Sequence, residues 1–197
     1  MEETVRQTRW GKDWLQRLCS GDHAAFAQFI DKYKESVFLC CRRLGLREDE
    51  VEDVASETFL AAYNGLKRYA GKAELGTWIW SIAYRQAISH LRKNRRLAQL
   101  EDEAEDWIAV GREIEPATAA QGRETHQLIW DAVERLPRLW AMAVILYYRE
   151  QQSVADIAGI MQTNKNTVKT YLFRGRERLK NMLAGALGDV EDGNEQV

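Results

Sequence analysis

SVADIAGIMQTNKNTVKTYLFRGRERL, residues Ser153–Leu179, holds two helical patterns separated by a short polar turn. Ser153 and Asp156 form an S-x-x-D start, in which a hydroxyl and a carboxylate can satisfy the first free N–H groups of a helix. Ile157, Ala158, Ile160 and Met161 give that helix one apolar face. Gln162, Thr163 and Asn164 make the turn, and Thr163 or Asn164 has the oxygen needed to cap the next helix. There Val168, Leu172 and Leu179 recur at core spacing, while Lys165, Lys169, Arg174, Arg176, Arg178 and Lys180 are opposed only by Glu177. A helix with one apolar stripe and this many cations fits the major groove of duplex DNA, where it meets phosphates and base edges. The plainer alternative is a basic, solvated helix on a small bundle.

Outward from that stretch the charge is segregated. The formal net charge of −2 is not that of a DNA binder, and 29% charged with 45% hydrophobic residues is ordinary for a soluble protein. Between Lys67 and Arg96, however, Lys67, Arg68, Lys72, Arg85, Arg92, Lys93, Arg95 and Arg96 stand against Glu74 alone. Between Glu101 and Glu124 the balance reverses, with Glu101, Asp102, Glu103, Glu105, Asp106, Glu113, Glu115 and Glu124 against Arg112 and Arg123. After Leu187 the tail carries only acids. The sum over the chain therefore hides two positive surfaces.

Several classes are disfavoured. The opening residues lack an apolar signal core, and the apolar run Leu139–Tyr148 is too short to span a bilayer. Three cysteines, two of them adjacent at Cys40 and Cys41, do not make a disulfide framework and read as buried thiols. His23, His90 and His126 are isolated, so neither a metal site nor a cofactor is expected, and no nucleophile or phosphate loop points to catalysis. A cytoplasmic protein without membrane insertion follows.

Periodicity predicts an all-α chain of two small helical domains. In the first, a short helix at Lys12–Cys19 stops before Gly21, and Asp22 caps a long helix carrying Phe26, Phe29, Ile30, Tyr33, Val37, Phe38, Cys41 and Leu44, closed by Gly45. A third helix over Glu48–Arg68 opens on acids that suit its dipole and has Val51, Val54, Phe59, Ala62 and Leu66 as core positions. A loop follows, with Gly71 and Gly76 at the ends of its tip, then a helix over Thr77–Asn94 with Trp78, Ile79, Ile82, Ala83, Ile88 and Leu91 inward. No run alternates with period two, so no strands are expected. Residues 1–96 form the first domain, 97–122 an acidic linker in which Trp107, Ile108 and Val110 could anchor a turn, 123–186 the second domain, and 187–197 an acidic tail, expected to be disordered from Asp189. Helices to about Leu136 and from Pro137 to about Glu150 precede the helix-turn-helix.

The helix after the glycine loop mixes rings and cations. Trp78 shares the spacing of Ile82 and Leu91 and reads as core. Trp80 and Tyr84 lie off that stripe, among Lys72, Arg85, Arg92, Lys93, Arg95 and Arg96. Exposed rings beside cations suit single-stranded nucleic acid, because bases stack on rings while cations follow phosphates.

The ordered set of these pieces resembles the extracytoplasmic-function (group IV) sigma factors of bacterial RNA polymerase. The resemblance rests on GDHAAFAQFIDKY (Gly21–Tyr33), EDVASETFLAAY (Glu52–Tyr63), TWIWSIAYRQAISHLRK (Thr77–Lys93), Leu136-Pro137, SVADIA (Ser153–Ala158) and NTVKTYLFRGRERL (Asn166–Leu179). It implies a sigma region 2 bundle and a sigma region 4 helix-turn-helix. By this resemblance the helix around Asp53–Tyr63 docks on the clamp of the largest polymerase subunit, through Asp53, Ser56, Glu57 and Leu60. The loop Gly71–Gly76, with Lys72, Ala73 and Glu74, takes a base flipped from the −10 non-template strand. Trp80, Tyr84, Arg85, Ser89, Arg92, Lys93 and Arg96 line the melted strand. The second domain reads the −35 duplex with Lys165, Asn166, Thr167, Lys169, Thr170, Phe173, Arg174 and Arg176. Implied partners are core polymerase, promoter DNA and an anti-sigma factor.

The chain departs from the family pattern at Ser56 (usually Gln), Arg85 (Asn), Ser89 (Asp), Ala141 (Arg), Gln162 (Gly) and Gly175 (Ala). Two other classes compete. A stand-alone helix-turn-helix regulator needs neither an acidic docking helix nor a strand-facing helix. A nucleic-acid-processing enzyme would use carboxylates, and Glu48–Glu57 supplies them, but at a helix start and without a histidine partner.

Overall fold

The computed structural model describes residues 12–71, 73–94 and 123–191. The acidic linker 97–122, Lys72, Arg96 and the end of the tail lie outside them. All elements among the described residues are helical: α1 (Lys12–Cys19), α2 (His23–Arg43), α3 (Glu48–Leu66), α4 (Leu75–Lys93), α5 (Arg123–Glu134), α6 (Arg138–Val144), a π turn (Ile145–Arg149), α7 (Val154–Ile160) and α8 (Lys165–Glu191). Spatial proximity gathers them into two compact units, Met1–Arg42 with Leu46–Ala87 and Arg43–Gly45 with Ile88–Val197.

The first unit is a bundle closed by local signals that the chain spells out. Asp22 Oδ1 accepts from the N–H groups of Ala24 and Ala25 at 2.8 and 3.0 Å, capping α2. Arg17 donates to the same carboxylate at 2.8 Å. That hydrogen bond, followed by the Ala25 N–H, lowers the Asp22 pKa to about 2. Gly21 and Gly45 take positive φ (88° and 81°) where α1 and α2 end. In each case the next N–H bonds back across the turn, Asp22 to Arg17 O and Leu46 to Cys41 O, satisfying carbonyls the helix leaves open. Glu50 closes the start of α3 by accepting from the N–H of Arg47 at 2.8 Å. The rest of that acidic helix start is partly paired: Arg42 meets Glu48 and Arg47 meets Asp49.

Behind these caps lies an aromatic core. Phe29 of α2 meets Phe59 of α3 edge-on at 6.3 Å and Trp78 of α4 at 6.5 Å, while Phe26 meets Tyr63 at 4.9 Å. Edge-to-face rings pack densely and add to the area they bury. Cys40 and Cys41 are fully buried, and desolvation pushes both thiols up, Cys41 to about 12. Val51, Val54, Phe59, Ala62 and Leu66 are buried as their spacing requires.

The second unit packs α5, α6 and α7 on α8. Pro137 sits one position earlier than expected, as the cap of α6 rather than its first residue. The helix expected to reach Glu150 as one α-helix widens into the π turn, where Glu150 N–H bonds to Ile145 O. Gly175 is buried, and a Cβ there would lie 3.0 Å from Val144 Cγ2, so α8 approaches α6 closely at that point. Helix α8 continues to Glu191, past the expected start of disorder at Asp189.

Candidate nucleic-acid and polymerase interfaces

The helix-turn-helix is built as its residues dictate. Ser153 Oγ accepts from Asp156 N–H at 3.1 Å and donates to the Asp156 carboxylate at 2.6 Å. Ile157, Ala158, Ile160 and Met161 are all buried. Of the two cap candidates, Asn164 does the capping, its Oδ1 accepting from Thr167 N–H at 2.8 Å. Val168 and Leu172 anchor α8, with Leu179 half-buried. On the opposite face Lys165, Asn166, Lys169, Thr170, Phe173 and Arg176 are exposed, and Thr167 and Arg174 are half-buried. Phe173 leaves 59% of its surface in solvent, which is hard to account for as core packing. Thr170 Oγ1 turns back to donate to Asn166 O at 3.0 Å.

On α3, Asp53, Ser56, Glu57 and Leu60 are exposed, while the opposite face, including Val51, Val54, Ala62 and Leu66, is buried. Leu60 is the extreme case, at 63% exposure on an otherwise polar stripe. The i, i+3, i+4, i+7 spacing thus does place the four side chains on one solvent-facing strip.

The set expected to face the melted strand, on α4 and the loop before it, divides. Arg85, Arg92, Lys93 and Glu74 are exposed, and Ala73 and Ser89 half-buried, whereas Lys72 and Arg96 lie outside the described residues. Trp80 and Tyr84, expected as base platforms, are buried at 1% and 6% exposure and belong to the core. The reason is the width of the face that α4 buries. Ile79, Trp80, Ile82, Ala83, Tyr84, Ala87 and Leu91 are all inside, so the helix hides more than the stripe of Ile82 and Leu91. Trp80, Tyr84, Ala87 and Leu91 stand at i, i+4, i+7 and i+11, a second helical stripe whose burial depends on neighbours packing on that side as well. Trp78, expected in the core, is half-buried against Phe29 and Tyr69. Arg85 Nε donates to its own helix at Ser81 O, 2.9 Å away. The loop is also shorter than expected: α4 starts at Leu75, so Gly76 is helical and only Gly71, with φ 68°, uses glycine's freedom. Sequence reasoning passed over Tyr69, whose hydroxyl donates to Ala73 O across this loop.

One unit thus carries a capped helix-turn-helix with a cationic outer face, and the other exposes an acidic strip that holds a single leucine. Residues 29–97 match Sigma-70 region 2 and residues 126–179 match Sigma-70 region 4. The ECF RNA polymerase sigma-E factor of Escherichia coli strain K12 is 30% identical over 174 residues, covering 85% of this chain and 91% of that protein. The ECF RNA polymerase sigma factor SigW of Bacillus subtilis is 28% identical over 181 residues, covering 87% and 96%. Among solved structures, CnrH in complex with the cytosolic domain of CnrY aligns with a TM-score of 0.56 at 20% identity, covering 87% of this chain and 95% of that one. The sigma factor RpoE in complex with the anti-sigma factor NepR from Bartonella quintana aligns at 0.55 and 24% identity, covering 80% and 96%. The chain belongs to the ECF RNA polymerase sigma factors. Among the described residues no helix is long and apolar enough to cross a membrane.

Proposed function

We propose that this chain programmes RNA polymerase core for a set of promoters, acting in the cytoplasm and leaving all catalysis to the polymerase. Residues 1–96 form region 2, 97–122 the acidic connector, 123–186 region 4 and 187–197 the tail. The strip Asp53, Ser56, Glu57 and Leu60 docks on core enzyme. The α8 face of Lys165, Asn166, Thr167, Lys169, Thr170, Phe173, Arg174 and Arg176 reads the −35 duplex. The loop with Lys72, Ala73 and Glu74 receives an unpaired −10 base, and Arg85, Ser89, Arg92, Lys93 and Arg96 follow the melted strand. Trp80 and Tyr84 support that surface from within the core.

The observation that carries this reading is Leu60, a leucine 63% exposed on an acidic strip of a helix whose other face is closed. A stand-alone regulator has no use for such a strip, whereas a protein partner with a basic, partly apolar surface does. An anti-sigma factor is a further partner, since the structurally similar RpoE is held by one. Run-off transcription of genomic fragments by core polymerase, with and without the chain, is the test. Promoter-specific transcripts that require the chain are the expected result. Binding of duplex DNA with no effect on core enzyme would favour the stand-alone regulator.

A further inference from the structure

The apolar stripe of α8 lacks one side chain. Val168, Leu172, Gly175 and Leu179 stand at i, i+4, i+7 and i+11, and the third of them is a glycine. Glycine is second only to proline in disfavouring a helix interior, yet α8 runs unbroken through this position. What the missing side chain permits is contact. Gly175 is buried against a ridge of Leu136, Trp140 and Val144, all buried themselves. A Cβ at 175 would stand 3.0 Å from Val144 Cγ2, 3.7 Å from Leu136 Cδ1 and 3.9 Å from Trp140 Cβ. The first of these is closer than the optimum for two carbons by roughly 0.5 Å. Val144 has little room to give, because a β-branched side chain in a helix is held largely to one rotamer. A methyl group at 175 would therefore move α8 away from α6, with Val168 and Leu172 as the buried pivot.

The residues on either side of this seat are Arg174 and Arg176, each turned about 100° from it around the helix. Arg174 is half-buried and Arg176 exposed. We propose that Gly175 is a positioning residue: by letting α8 rest on Val144, it sets how far Arg174 and Arg176 reach into the −35 duplex, and thereby the base preference there. This rests on the reading of the α8 face given above. Hydrogen bonds to base edges hold only over donor–acceptor distances of about 2.7–3.2 Å, so a displacement of roughly 0.5 Å removes most of one. Attraction between a guanidinium and a phosphate falls off gradually with distance and survives such a shift. Lifting α8 from its seat therefore lowers discrimination between sequences and leaves general affinity for duplex in place.

The test uses the full-length chain reconstituted with core polymerase, on a promoter fragment from which the wild-type holoenzyme gives a run-off transcript. Copies of that fragment carry single base-pair changes in the −35 element. Competition between the original and each changed fragment gives the preference at each base pair. Gly175→Ala is expected to lower that preference by about fivefold or more at one or two base pairs, the lower end of what a base-edge pairing contributes, with the salt dependence unchanged. Its thermal midpoint is expected to stay within about 5 °C of wild type, since the better helix propensity of alanine offsets the strained contact. Val144→Ala added to Gly175→Ala removes the γ carbons that the new methyl meets. This double variant is expected to recover the preference even though the lost valine lowers the midpoint. Recovery of recognition together with loss of stability is not what a merely structural role produces. Wild-type preference in Gly175→Ala would overturn the positioning role while leaving the α8 reading standing. So would a fall in midpoint and in affinity for every fragment alike that the added Val144→Ala does not reverse. If Arg174→Ala and Arg176→Ala in the otherwise unchanged chain both keep the wild-type preference, the α8 face is not the reader, and the proposal falls with that reading.

Discussion

Asn164 Oδ1 accepts a hydrogen bond from the backbone N–H of Thr167 at 2.8 Å, and this contact fixes where α8 begins. Two residues earlier, Gln162 takes φ 52°, and Thr163 N–H bonds back to Ala158 O at 3.0 Å. The closure is the same as at Gly21 and Gly45, with a glutamine in the left-handed position that glycine occupies in the other two.

That comparison gives opposite expectations for neighbouring residues. Asn164→Ala removes the cap and is expected to destabilise the second unit by about 1 kcal/mol. Gln162→Gly relieves a left-handed side-chain penalty and is expected to stabilise it by about 1 kcal/mol. Urea unfolding followed by circular dichroism measures both, and stabilisation by Asn164→Ala would contradict the capping geometry.

Affinity for the −35 duplex should separate the cations of α8 by role. Arg174→Ala is expected to cost about 1–3 kcal/mol on the cognate element and to relax preference at one base pair. Lys165→Ala should weaken all sequences alike and reduce the salt slope by about 1. Mobility-shift titrations at several salt concentrations distinguish them. An unchanged cognate affinity for Arg174→Ala would mean that another face of the helix enters the groove.

The α3 strip makes a partner-specific prediction. Leu60 is exposed in the free chain, so Leu60→Ala should leave the thermal midpoint within error and weaken binding to core polymerase by about 2 kcal/mol. Reversing Asp53 and Glu57 to lysine should abolish co-purification with core enzyme while the helical signal persists. Retained co-purification in the charge-reversed variant would point to a different docking surface.

Strand opening is expected to depend on cations that duplex binding does not use. Arg92→Ala with Lys93→Ala is expected to preserve −35 binding but to lower permanganate reactivity of thymines near the start site, with partial rescue on a premelted bubble. Equal loss on duplex and bubble templates would assign these residues to the fold.

Acid should release the junction of α1 and α2. The folded Asp22 carboxylate titrates near 2, below its ordinary range near 3.8, because Arg17 and the α2 N–H groups favour its charged form. Its contribution is therefore complete above about pH 4 and is lost as the pH falls from there through 2. Asp22→Asn retains an acceptor but not the ion pair, so its midpoint should lie below wild type at pH 7 and converge with it near pH 2. A constant difference across that range would show that the charge of Asp22 is not involved.

Most of the molecule's local structure is written in the chain. Capping residues and helical spacing determine α1 to α3 and the helix-turn-helix, because Asp22, Glu50, Ser153 and Asn164 each satisfy backbone groups a few residues away. Charge segregation identifies the α8 face for the same reason, since exposure of a lysine or arginine needs no partner. Family membership follows from the order of the motifs. Tertiary structure alone decided how much of α4 is hidden. A helix surrounded on one side buries a single stripe, whereas α4 buries Trp80 and Tyr84 as well as Ile82 and Leu91, and an indole off the main stripe looks identical in sequence whether it faces solvent or neighbours. The Tyr69 hydroxyl on Ala73 O was likewise invisible, because a loop's internal hydrogen bonds depend on its backbone path rather than on periodicity. So was the close passage of Gly175 beside Val144, which only the approach of two helices, distant in sequence, creates.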